Sequence, residues 1–501
     1  MKKKFIRSLA VATIATTALV GLVSCDDNSG NSSTPTSAPT STPTIAPTTP
    51  GSTKPTAAPT TTTPAIEVGD TTVTGTGEIV FYHTMGDTLQ NALQVAIDNF
   101  EAKYPGWTIK HTQVGGYDDV RDKIIGDLQA GTQPDLAYCY ADHVAQYIKT
   151  KNVVDMSKFI NSTGTATIGS NKAVIGYTAE EISDFVPGYY MEGKAVNFAD
   201  YNKYGYSDKA QFMMPYVKST EVLYYNKTAL DAAGLSVPTT WDELWSACEV
   251  LAAKYPKCTP LGYDSEANWF ITMCEQNGWG YTSAQAPHYL FNTPEACAWL
   301  NDLGAKYNDG LFITQELYGS YTSNLFTKGA EEGSVFSIGS SGGASHQAPS
   351  NNLFEWGVAR VPGSVVNGKV VNKSISQGPN LVMFDTEVKN TDEKQLMTWL
   401  FVKELLDPTF QSTFSQESGY NPCRISTFDN EDYQEFLADT TNIVAVTAAL
   451  AKSLTDDFFT SPAFAGSSTA RDQVGAALQY AASGMSTGEE ALKDAMKKCG
   501  A

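Results

Sequence analysis

Between Glu78 and Asp142 the chain alternates three times between a short apolar strand pattern and an amphipathic helix pattern. The strand patterns are Glu78–Tyr82, Trp107–Val114 and Asp135–Tyr140, and the segments after them repeat apolar residues every three or four positions. Strands that alternate with helices in this way build parallel sheets covered by helices. The stretch therefore predicts a mostly parallel α/β sheet.

Polar loops follow each of these three strand patterns. They are His83–Asp87, Gly115–Tyr117 and Tyr140–Asp142. Ligands of open α/β sheets bind outside the carboxyl ends of the strands, because the loops there converge on one edge of the sheet. We therefore expect these loops to contribute to a binding site.

The alternation stops at Gln211–Lys227, where a Pro-Tyr turn separates two apolar runs. The second run, Glu221–Asn226, is rich in β-branched and aromatic residues and predicts a strand. At 501 residues the chain is also too long for one compact core. We interpret this strand as the place where the chain passes from one lobe to another, with a ligand bound near the crossing.

Helix and strand patterns resume after this stretch. Capping boxes at Thr240/Glu243 and Thr487/Glu490 predict helix starts. The segment Lys151–Asp208 is irregular. Further strands are predicted at Lys257–Asp264, Ser334–Ile338, Trp356–Val361 and Asn380–Phe384, and further helices at Trp269–Gln276, Thr293–Tyr307 and Glu393–Leu406.

Residues 1–24 predict a lipoprotein signal peptide. Basic residues precede Leu9–Val23, an apolar run that is too short to span a bilayer comfortably, and Ser24-Cys25 follows it. This ending resembles the bacterial lipobox, in which the cysteine carries the lipid, so Cys25 is the expected lipidation site. The alternative is an ordinary secretory signal with an incidental cysteine.

The composition of residues 25–75 predicts a disordered tether that precedes the folded residues 76–498. Within it, Asn28–Ile66 consists almost entirely of Thr, Pro, Ser, Ala and Gly, with Lys54 as its only charge. Such a segment buries too little apolar surface to offset its chain entropy. Its expected role is to hold the folded part away from the membrane.

The charge balance and the cysteines limit the partners. With 54 acidic and 34 basic residues the net charge is −20, so we expect no nucleic-acid partner, since phosphate needs a basic surface. No Cys/His cluster has zinc spacing, and no metal or cofactor is expected. Disulfides such as Cys248–Cys258 or Cys274–Cys297 stay open beside the alternative of single buried cysteines.

The order of segments from about Gly77 to Lys498 resembles the extracellular solute-binding proteins of family 1, the maltose-binding-protein-like receptors of ABC importers. This resemblance implies an α/β, two-lobed periplasmic-binding-protein-like fold of class II, with lobes joined by crossing strands. The matching segments are FYHTMGDTLQNALQVAIDNFEAKYPGWTIKH, AGTQPDLAY, MPYVKSTEVLYYNKTALDAAGLSVPTTWDEL, SVFSIGSSGG, WGVARVPG, FVKELLDPTFQSTFSQESGYNPCR and EEALKDAMKK.

Carried over by position, the resemblance implies lobe one at about 78–217 and 371–420, and lobe two at about 218–370 and 421–498. It also implies a function: a receptor anchored by lipid to the extracellular face of the bacterial membrane. The receptor would close around a mono- or oligosaccharide and deliver it to the permease of an ABC importer. The resemblance implies no catalytic residue.

Sugar binding needs hydrogen-bonding groups for hydroxyl pairs and aromatic faces for the C–H side of the ring. The alternative for each aromatic candidate is a place in the core, and Asp87 and Asp142 could instead cap helices. The expected ligand contacts are His83, Thr84, Asp87, Tyr117, Asp142, Tyr216, Glu221, Trp269, Trp279, Ser340, Ser341, Gly342, Gly378 and Asn380.

The sequence leaves other functions open as alternatives. A glycerol-phosphate or other polyol-type receptor is one alternative, and for a phosphate ligand an arginine is expected, with Arg471 as the candidate. An esterase is suggested by G-x-S-x-G around Ser341, but only His346 follows it, which is too close to complete a triad in the usual order. A glycosidase would need a carboxylate pair in a cleft. The Tyr224-Tyr225 pair is similar to the twin tyrosines of ferric-ion receptors, but we interpret it as part of a structural strand.

Overall fold

The computed structural model describes residues 68–386 and 391–501. The predicted signal peptide, the lipidation site Cys25 and the tether up to residue 67 lie outside the described residues. Within those two ranges, none of the helices has both the length and the apolar character needed to cross a bilayer. The seven cysteines that the structure describes are all unpaired, and six of them are buried.

The first part of the chain follows the predicted alternation. Helix α1 turns its apolar repeat inward and buries Leu93, Ile97 and Phe100. The elements are β1 Thr71–Val73, β2 Gly77–His83, α1 Asp87–Lys103, β3 Trp107–Gln113, α2 Tyr117–Ala130, β4 Leu136–Cys139, α3 Ala141–Tyr147, α4 Ser157–Ile160, β5 Thr165–Ile168, β6 Asn171–Val174, α5 Ala179–Ser183, α6 Pro187–Glu192 and β7 Met214–Pro215.

The middle part begins at the predicted crossing. Its first capping box is confirmed, because Thr240 Oγ1 accepts from the Glu243 N–H at the start of α8. The elements are β8 Val217–Lys218, β9 Glu221–Asn226, α7 Lys227–Ala233, α8 Trp241–Lys254, β10 Leu261–Tyr263, α9 Glu266–Asn277, α10 Pro294–Asn308, β11 Phe312–Thr314, α11 Gln315–Tyr318, α12 Ser323–Phe326, β12 Phe336–Ser340, β13 Trp356–Arg360, β14 Ser364–Val366 and β15 Lys369–Val371.

The last part is mostly helical, and its capping box at Thr487 and Glu490 is also confirmed. The elements are β16 Ser374–Ile375, β17 Asn380–Met383, α13 Thr391–Leu405, α14 Pro408–Ser418, β18 Asn421–Pro422, α15 Ile425–Phe428, α16 Glu431–Leu437, α17 Ile443–Ser453, β19 Phe458–Phe459, α18 Ser467–Ala482 and α19 Gly488–Lys498.

Two five-stranded sheets organise these elements, and we use them to define lobe one and lobe two. The lobe-one sheet has the order β3-β2-β4-β17-β7, with β2, β3 and β4 parallel and β17 antiparallel to its neighbours. The lobe-two sheet has the order β11-β10-β12-β9-β13, with β9 antiparallel to β12 and β13. The sequence prediction of parallel order therefore holds for the first three strands of lobe one.

The chain passes between the two sheets at three neighbouring places. The stretch from β7 to β9 leaves the lobe-one sheet and enters the lobe-two sheet within six residues. Its middle strand, β8, pairs with β18. Ser219 and Gln377 exchange backbone hydrogen bonds of 2.9 and 2.8 Å beside this pair. We call these paired backbone segments the hinge.

Two segments differ from the sequence expectation for physical reasons. The strand predicted at Lys257–Asp264 is shorter, because Pro260 has no N–H to donate and its carbonyl instead accepts from Val335 and Phe336. The segment Lys151–Asp208 contains short helices and the hairpin β5–β6, which extends β1 into a separate three-stranded sheet.

Gly378 lets the chain next to Gln377 lie against the backbone of Val217 and Lys218 in the hinge. Its φ is +94°, and a Cβ there would meet the Val217 carbonyl oxygen at 2.5 Å and the Lys218 Cα at 2.8 Å. Gly368, in the turn between β14 and β15, also has a positive φ of +75° but has nothing within 4 Å of a Cβ. A substitution at Gly368 would therefore cause backbone strain only, whereas one at Gly378 would cause both backbone strain and steric overlap.

We predict that Gly378→Ala destabilises the protein more than Gly368→Ala does. Both substitutions add about 1–2 kcal/mol of left-handed backbone strain, and only the first adds overpacking of about 1–3 kcal/mol. Chemical unfolding of both variants measures this difference. Equal losses of unfolding free energy would contradict the close backbone approach at the hinge.

Candidate functional site

A cleft of about 770 Å³ lies between the two lobes, with the hinge as its floor. Lobe one contributes the start of α2 and the segment after β4. Lobe two contributes the segments that follow β10 and β12, together with the start of α18. The cleft is therefore bounded by strand ends from both sheets, as the α/β pattern predicts.

Tyrosine rings form the lobe-one wall. Tyr117 is the first residue of α2, and Tyr140 directly follows β4. Their rings stack with centroids 4.4 Å apart and an interplanar angle of 26°. The two residues come from neighbouring predicted loops, and they present an aromatic surface to the cleft.

A third tyrosine, Tyr420, reaches the cleft from the hinge. Its ring lies against the backbone of Gly342, where a Cβ would come within 2.6 Å of the ring. Any side chain at position 342 would therefore displace Tyr420. Burial raises the pKa of both Tyr117 and Tyr420, so both hydroxyls remain protonated donors at neutral pH.

Glu221 occupies the floor of the cleft at the start of β9. It is 3% exposed, and its two carboxylate oxygens accept from Tyr263 Oη at 2.6 Å and Asn268 Nδ2 at 2.8 Å. Burial raises its pKa to about 7, and these two hydrogen bonds act in the opposite direction. Glu221 is thus a buried carboxyl group that is close to half protonated at neutral pH.

The lobe-two wall carries both charges and hydroxyls. Asp264 follows β10, and its Oδ1 accepts from the N–H and Oγ1 of Thr322 at 2.6 and 2.7 Å. Burial raises the pKa of Asp264, although these bonds lower it. Ser340 ends β12 and also lines the cleft. These groups supply hydrogen-bond acceptors and donors opposite the tyrosine wall.

Arg471 is the one lining residue among those described that carries a permanent positive charge. It lies in the first turns of α18 and donates a hydrogen bond to Asn268 Oδ1, the same side chain whose Nδ2 binds Glu221. Arg471 therefore connects to the cleft floor through Asn268, and it makes no ion pair with another described residue.

A second cation joins the two lobes beside the cleft. Arg121, on α2 of lobe one, lies 3.0 Å from Asp118 and 2.7 Å from Asp122 on its own helix. It also lies 3.5 Å from Asp472 on α18 of lobe two. Because its side chain is only 11% exposed, this cation holds three carboxylates at the lobe interface.

The structure brings four of the predicted ligand contacts to this cleft: Tyr117, Glu221, Ser340 and Gly342. A fifth, Asp142, lies in a smaller pocket that adjoins the cleft and shares Tyr140, Gln377 and Arg471 with it.

The first predicted loop does not reach the cleft. His83 is fully buried, its Nε2 is 2.9 Å from His111 Nδ1, and its Nδ1 accepts from the Met85 N–H. Burial, and secondly His111, lower its pKa to about 3, so it is neutral. Thr84 is half-buried beside it, and Asp87 is exposed in the first turn of α1. These three residues line neither the cleft nor the smaller pocket.

Two aromatic candidates, Tyr216 and Trp269, point into the hydrophobic cores of the lobes. Tyr216 is fully buried between Tyr138 and Phe414, at centroid distances of 5.6 and 5.1 Å. Trp269 is fully buried and stacks on Tyr263 at 4.6 Å. They line neither the cleft nor the smaller pocket.

The remaining candidates also lie outside the cleft lining. Trp279 is half-buried and packs beside Trp299, 6.2 Å between centroids. Ser341 is buried, and its Oγ accepts from the Thr220 N–H at 3.2 Å. Gly378 is in the hinge. Asn380 is fully buried and donates to Glu192 at 3.3 Å.

The expected ligand contacts did not include several residues that line the cleft, among them Tyr140, Asp264, Asn268, Gln377 and Tyr420, although Tyr140 lies in a predicted loop. Tyr140 and Asp264 follow strands, so a stricter use of the strand-end rule would have included them. Asn268, Gln377 and Tyr420 enter through a helix and through the hinge, and no local sequence pattern places them there. No three His, Cys, Asp or Glu side chains group as a metal site within the described ranges.

We predict that Glu221 makes stability fall as pH rises. Its pKa is raised from 4.5 to about 7, so the folded state holds the proton more tightly than the unfolded chain. Its contribution is complete below pH 4.5 and is lost as pH rises through 7, by about 3 kcal/mol. The measurement is the unfolding free energy of the wild type minus that of Glu221→Gln, which should decrease between pH 5 and pH 8.

Glu243→Gln is the matched control. Its pKa is lowered by hydrogen bonds from Thr239 and Thr240, so its contribution is lost only as pH falls below the ordinary range of a glutamate. The corresponding difference for Glu243 should stay constant between pH 5 and pH 8. A constant difference for Glu221 as well would show that its carboxyl group is ionised in the folded protein.

Comparison with known proteins places this arrangement among bacterial binding proteins. Residues 95–440, more than half of the chain, match the model of the bacterial extracellular solute-binding protein family. The chain is 24% identical over 377 residues to the sn-glycerol-3-phosphate-binding periplasmic protein UgpB of Yersinia pestis bv. Antiqua, covering 72% of this chain and 77% of that protein. The UgpB of Escherichia coli K12 is 23% identical over 374 residues, with the same coverage.

Solved structures show the same fold at lower identity. The GacH receptor of Streptomyces glaucescens superimposes with a TM-score of 0.67 at 18% identity, covering 85% of this chain and 98% of that one. UgpB of Mycobacterium tuberculosis in complex with glycerophosphocholine gives 0.66 at 18% identity, with the same coverage. Maltose-bound T. maritima MalE3 gives 0.66 at 17% identity, covering 84% and 99%.

These neighbours confirm the two-lobed periplasmic-binding-protein-like fold of class II. The family match identifies the type of protein, which the cleft geometry alone does not. It covers helices α2 and α3 of lobe one, the hinge strand β8 and all of the lobe-two sheet. The chain belongs to the bacterial extracellular solute-binding protein family.

Proposed function

We propose that this protein is a receptor of an ABC importer that binds a carbohydrate between its lobes and delivers it to the permease. The observation that carries the proposal is the cleft itself. Its stacked tyrosines Tyr117 and Tyr140 face a wall of carboxylate, amide and hydroxyl groups around Glu221 and Asn268.

This combination matches the surface of a sugar. A pyranose ring has an apolar C–H face, which packs on aromatic rings, and a rim of hydroxyls, each of which can both donate and accept. Glu221 and Asp264 supply acceptors, while Arg471 and the tyrosine hydroxyls supply donors. A cleft of about 770 Å³ is in the range of ligand sites in proteins and is large enough for more than one ring.

The proposed mechanism is closure of the lobes about the hinge. A ligand that contacts Tyr117 of lobe one and Asp264 of lobe two stabilises the arrangement in which both walls are close, and it shifts the population toward that arrangement. Arg121 supports the same arrangement, since it neutralises carboxylates from both lobes. The permease would then bind the closed form.

We also propose that Cys25 carries the lipid and that residues 25–75 tether the receptor to the extracellular face of the membrane. The support is the lipobox-like sequence and the composition of the tether. An extracellular location agrees with the family, and two acyl chains on one cysteine are sufficient for a stable anchor.

We propose a binding role without catalysis. The Ser341 of the G-x-S-x-G pattern has its Oγ buried against the Thr220 backbone, and a 3₁₀ helix, Ser341–Gln347, follows it in place of the α-helix that an esterase elbow needs. Glu221 lines the cleft floor, where hydrogen bonds from Tyr263 and Asn268 to its two oxygens hold its carboxyl group in place. Product analysis of each candidate ligand after incubation tests this part of the proposal.

A second candidate ligand is a glycerol phosphate. Arg471 lines the cleft and makes no ion pair with another described residue, so it could bind a phosphate. The relatives named for sn-glycerol-3-phosphate agree with this candidate. Against it, the carboxylates of Asp118, Asp119 and Asp264 line the same cleft and would repel an anion.

The test is thermal unfolding of the protein against glucose, maltose, maltotriose, sn-glycerol 3-phosphate and glycerophosphocholine. A ligand at one hundred times its Kd stabilises the folded state by about 2.7 kcal/mol, which raises the Tm by several degrees. We expect at least one sugar to do so without being converted. A rise with the two glycerol phosphates alone would replace the carbohydrate proposal with the second candidate, and turnover would contradict a receptor.

A further inference from the structure

A small pocket of about 70 Å³ adjoins the cleft at the hinge. We call it the side pocket. It is lined by Asp142 of lobe one, by Tyr281 of lobe two, and by Tyr140, Gln377 and Arg471, which line the cleft as well. The side pocket therefore continues the cleft between the same two lobes.

Two buried polar atoms in the side pocket have no hydrogen-bond partner. Tyr281 is 3% exposed, and its Oη is unpaired, as is the Oε1 of Gln377. Leaving a buried hydroxyl or amide oxygen unpaired costs about 1–3 kcal/mol, so such atoms usually bind water or a ligand. One of these atoms is a donor and acceptor, and the other is an acceptor.

Asp142 adds a carboxylate that makes no ion pair with a lysine or arginine among the described residues. Its side chain is 18% exposed and makes no hydrogen bond with another described residue. His143 Nε2 lies 3.9 Å from the Asp142 Oδ1, and burial lowers the pKa of that histidine. A neutral imidazole at this distance leaves both carboxylate oxygens free to accept hydrogen bonds.

Arg471 completes the set on the lobe-two side. A guanidinium has five N–H donors, and the hydrogen bond to Asn268 uses one of them. Arg471 and Tyr281 can therefore donate from lobe two, while Asp142 can accept from lobe one. An alcohol group needs this combination, because each hydroxyl is both a donor and an acceptor.

We propose that the side pocket binds a hydroxyl-bearing arm at one end of the carbohydrate, with Asp142 accepting from it and Tyr281 and Arg471 donating to it. This inference rests on the proposed function and names the part of the ligand that the side pocket takes. At about 10–15 Å³ for each water-sized group, the pocket holds an arm of about five non-hydrogen atoms. A diol or hydroxymethyl group fits this size, and a second sugar ring does not.

The arm would also connect the lobes. Asp142 is the second residue of α3 in lobe one, and Tyr281 follows α9 of lobe two. A hydroxyl that binds both residues is held only when the lobes are close. The side pocket would therefore select the end group of the ligand and would also favour closure of the lobes.

The experiment is calorimetric titration of Asp142→Ala and Tyr281→Phe with the panel sugar that gives the wild type its largest Tm rise. We expect Kd to increase about tenfold or more for Asp142→Ala, which removes a charged acceptor, and about three- to tenfold for Tyr281→Phe. The Tm without ligand should not fall, since neither side-chain group makes a hydrogen bond in the free protein.

Matched controls are Asp87→Ala and Tyr147→Phe. Asp87 is likewise an acidic residue in the first turn of a helix, and Tyr147 likewise has a buried, unpaired hydroxyl, but neither lines the cleft or the side pocket. Both controls should bind within twofold of the wild type. Test variants that also bind within twofold would overturn the inference and show that the side pocket holds water only.

The failure of the proposed function looks different. If no panel compound raises the Tm of the wild type, the carbohydrate proposal fails, and the inference fails with it. If a sugar binds the wild type and the side-pocket variants bind it equally well, the proposed function stands and the inference alone is wrong.

Discussion

The backbone pairing of Ser219 with Gln377 is the interaction on which the rest of the structure depends. Its two hydrogen bonds, with the β8–β18 pair beside them, hold three passages of the chain together between the sheets. The buried ion pair of Lys218 and Glu192, 2.5 Å apart, fixes the same segment to lobe one. Because the passages share one place, the sheets can move only about it, and their strand ends face each other across a cleft.

The hinge and the binding surface are made from the same residues. Glu221 lies two positions after Ser219, and Gln377 contributes its backbone to the hinge and its side chain to the cleft. A ligand on this floor therefore acts on the segment that sets the angle between the lobes. The buried carboxyl group of Glu221 lowers the stability of the folded protein at high pH. Groups with pKa values shifted in this way are concentrated at functional sites.

The sequence was most informative where periodicity is local. The strand-end rule predicted Tyr117 and the loop that begins with Tyr140, and the crossing stretch predicted Glu221. All three residues line the cleft. His83 lies outside the cleft lining because it shares a face of β2 with Ile79 and Phe81, both buried, so that strand alternation points it into the core. Tyr420 and Arg471 are brought to the cleft by contacts across hundreds of residues, which no local pattern records.

The central claim is that a carbohydrate binds between the lobes on the Glu221 floor. A crystal structure of the protein grown with the panel sugar that gives the largest Tm rise tests it most directly. The account predicts density for the sugar between the Tyr117–Tyr140 pair and Asp264, above Glu221. Sugar density elsewhere on the protein, with only water in the cleft, would contradict it.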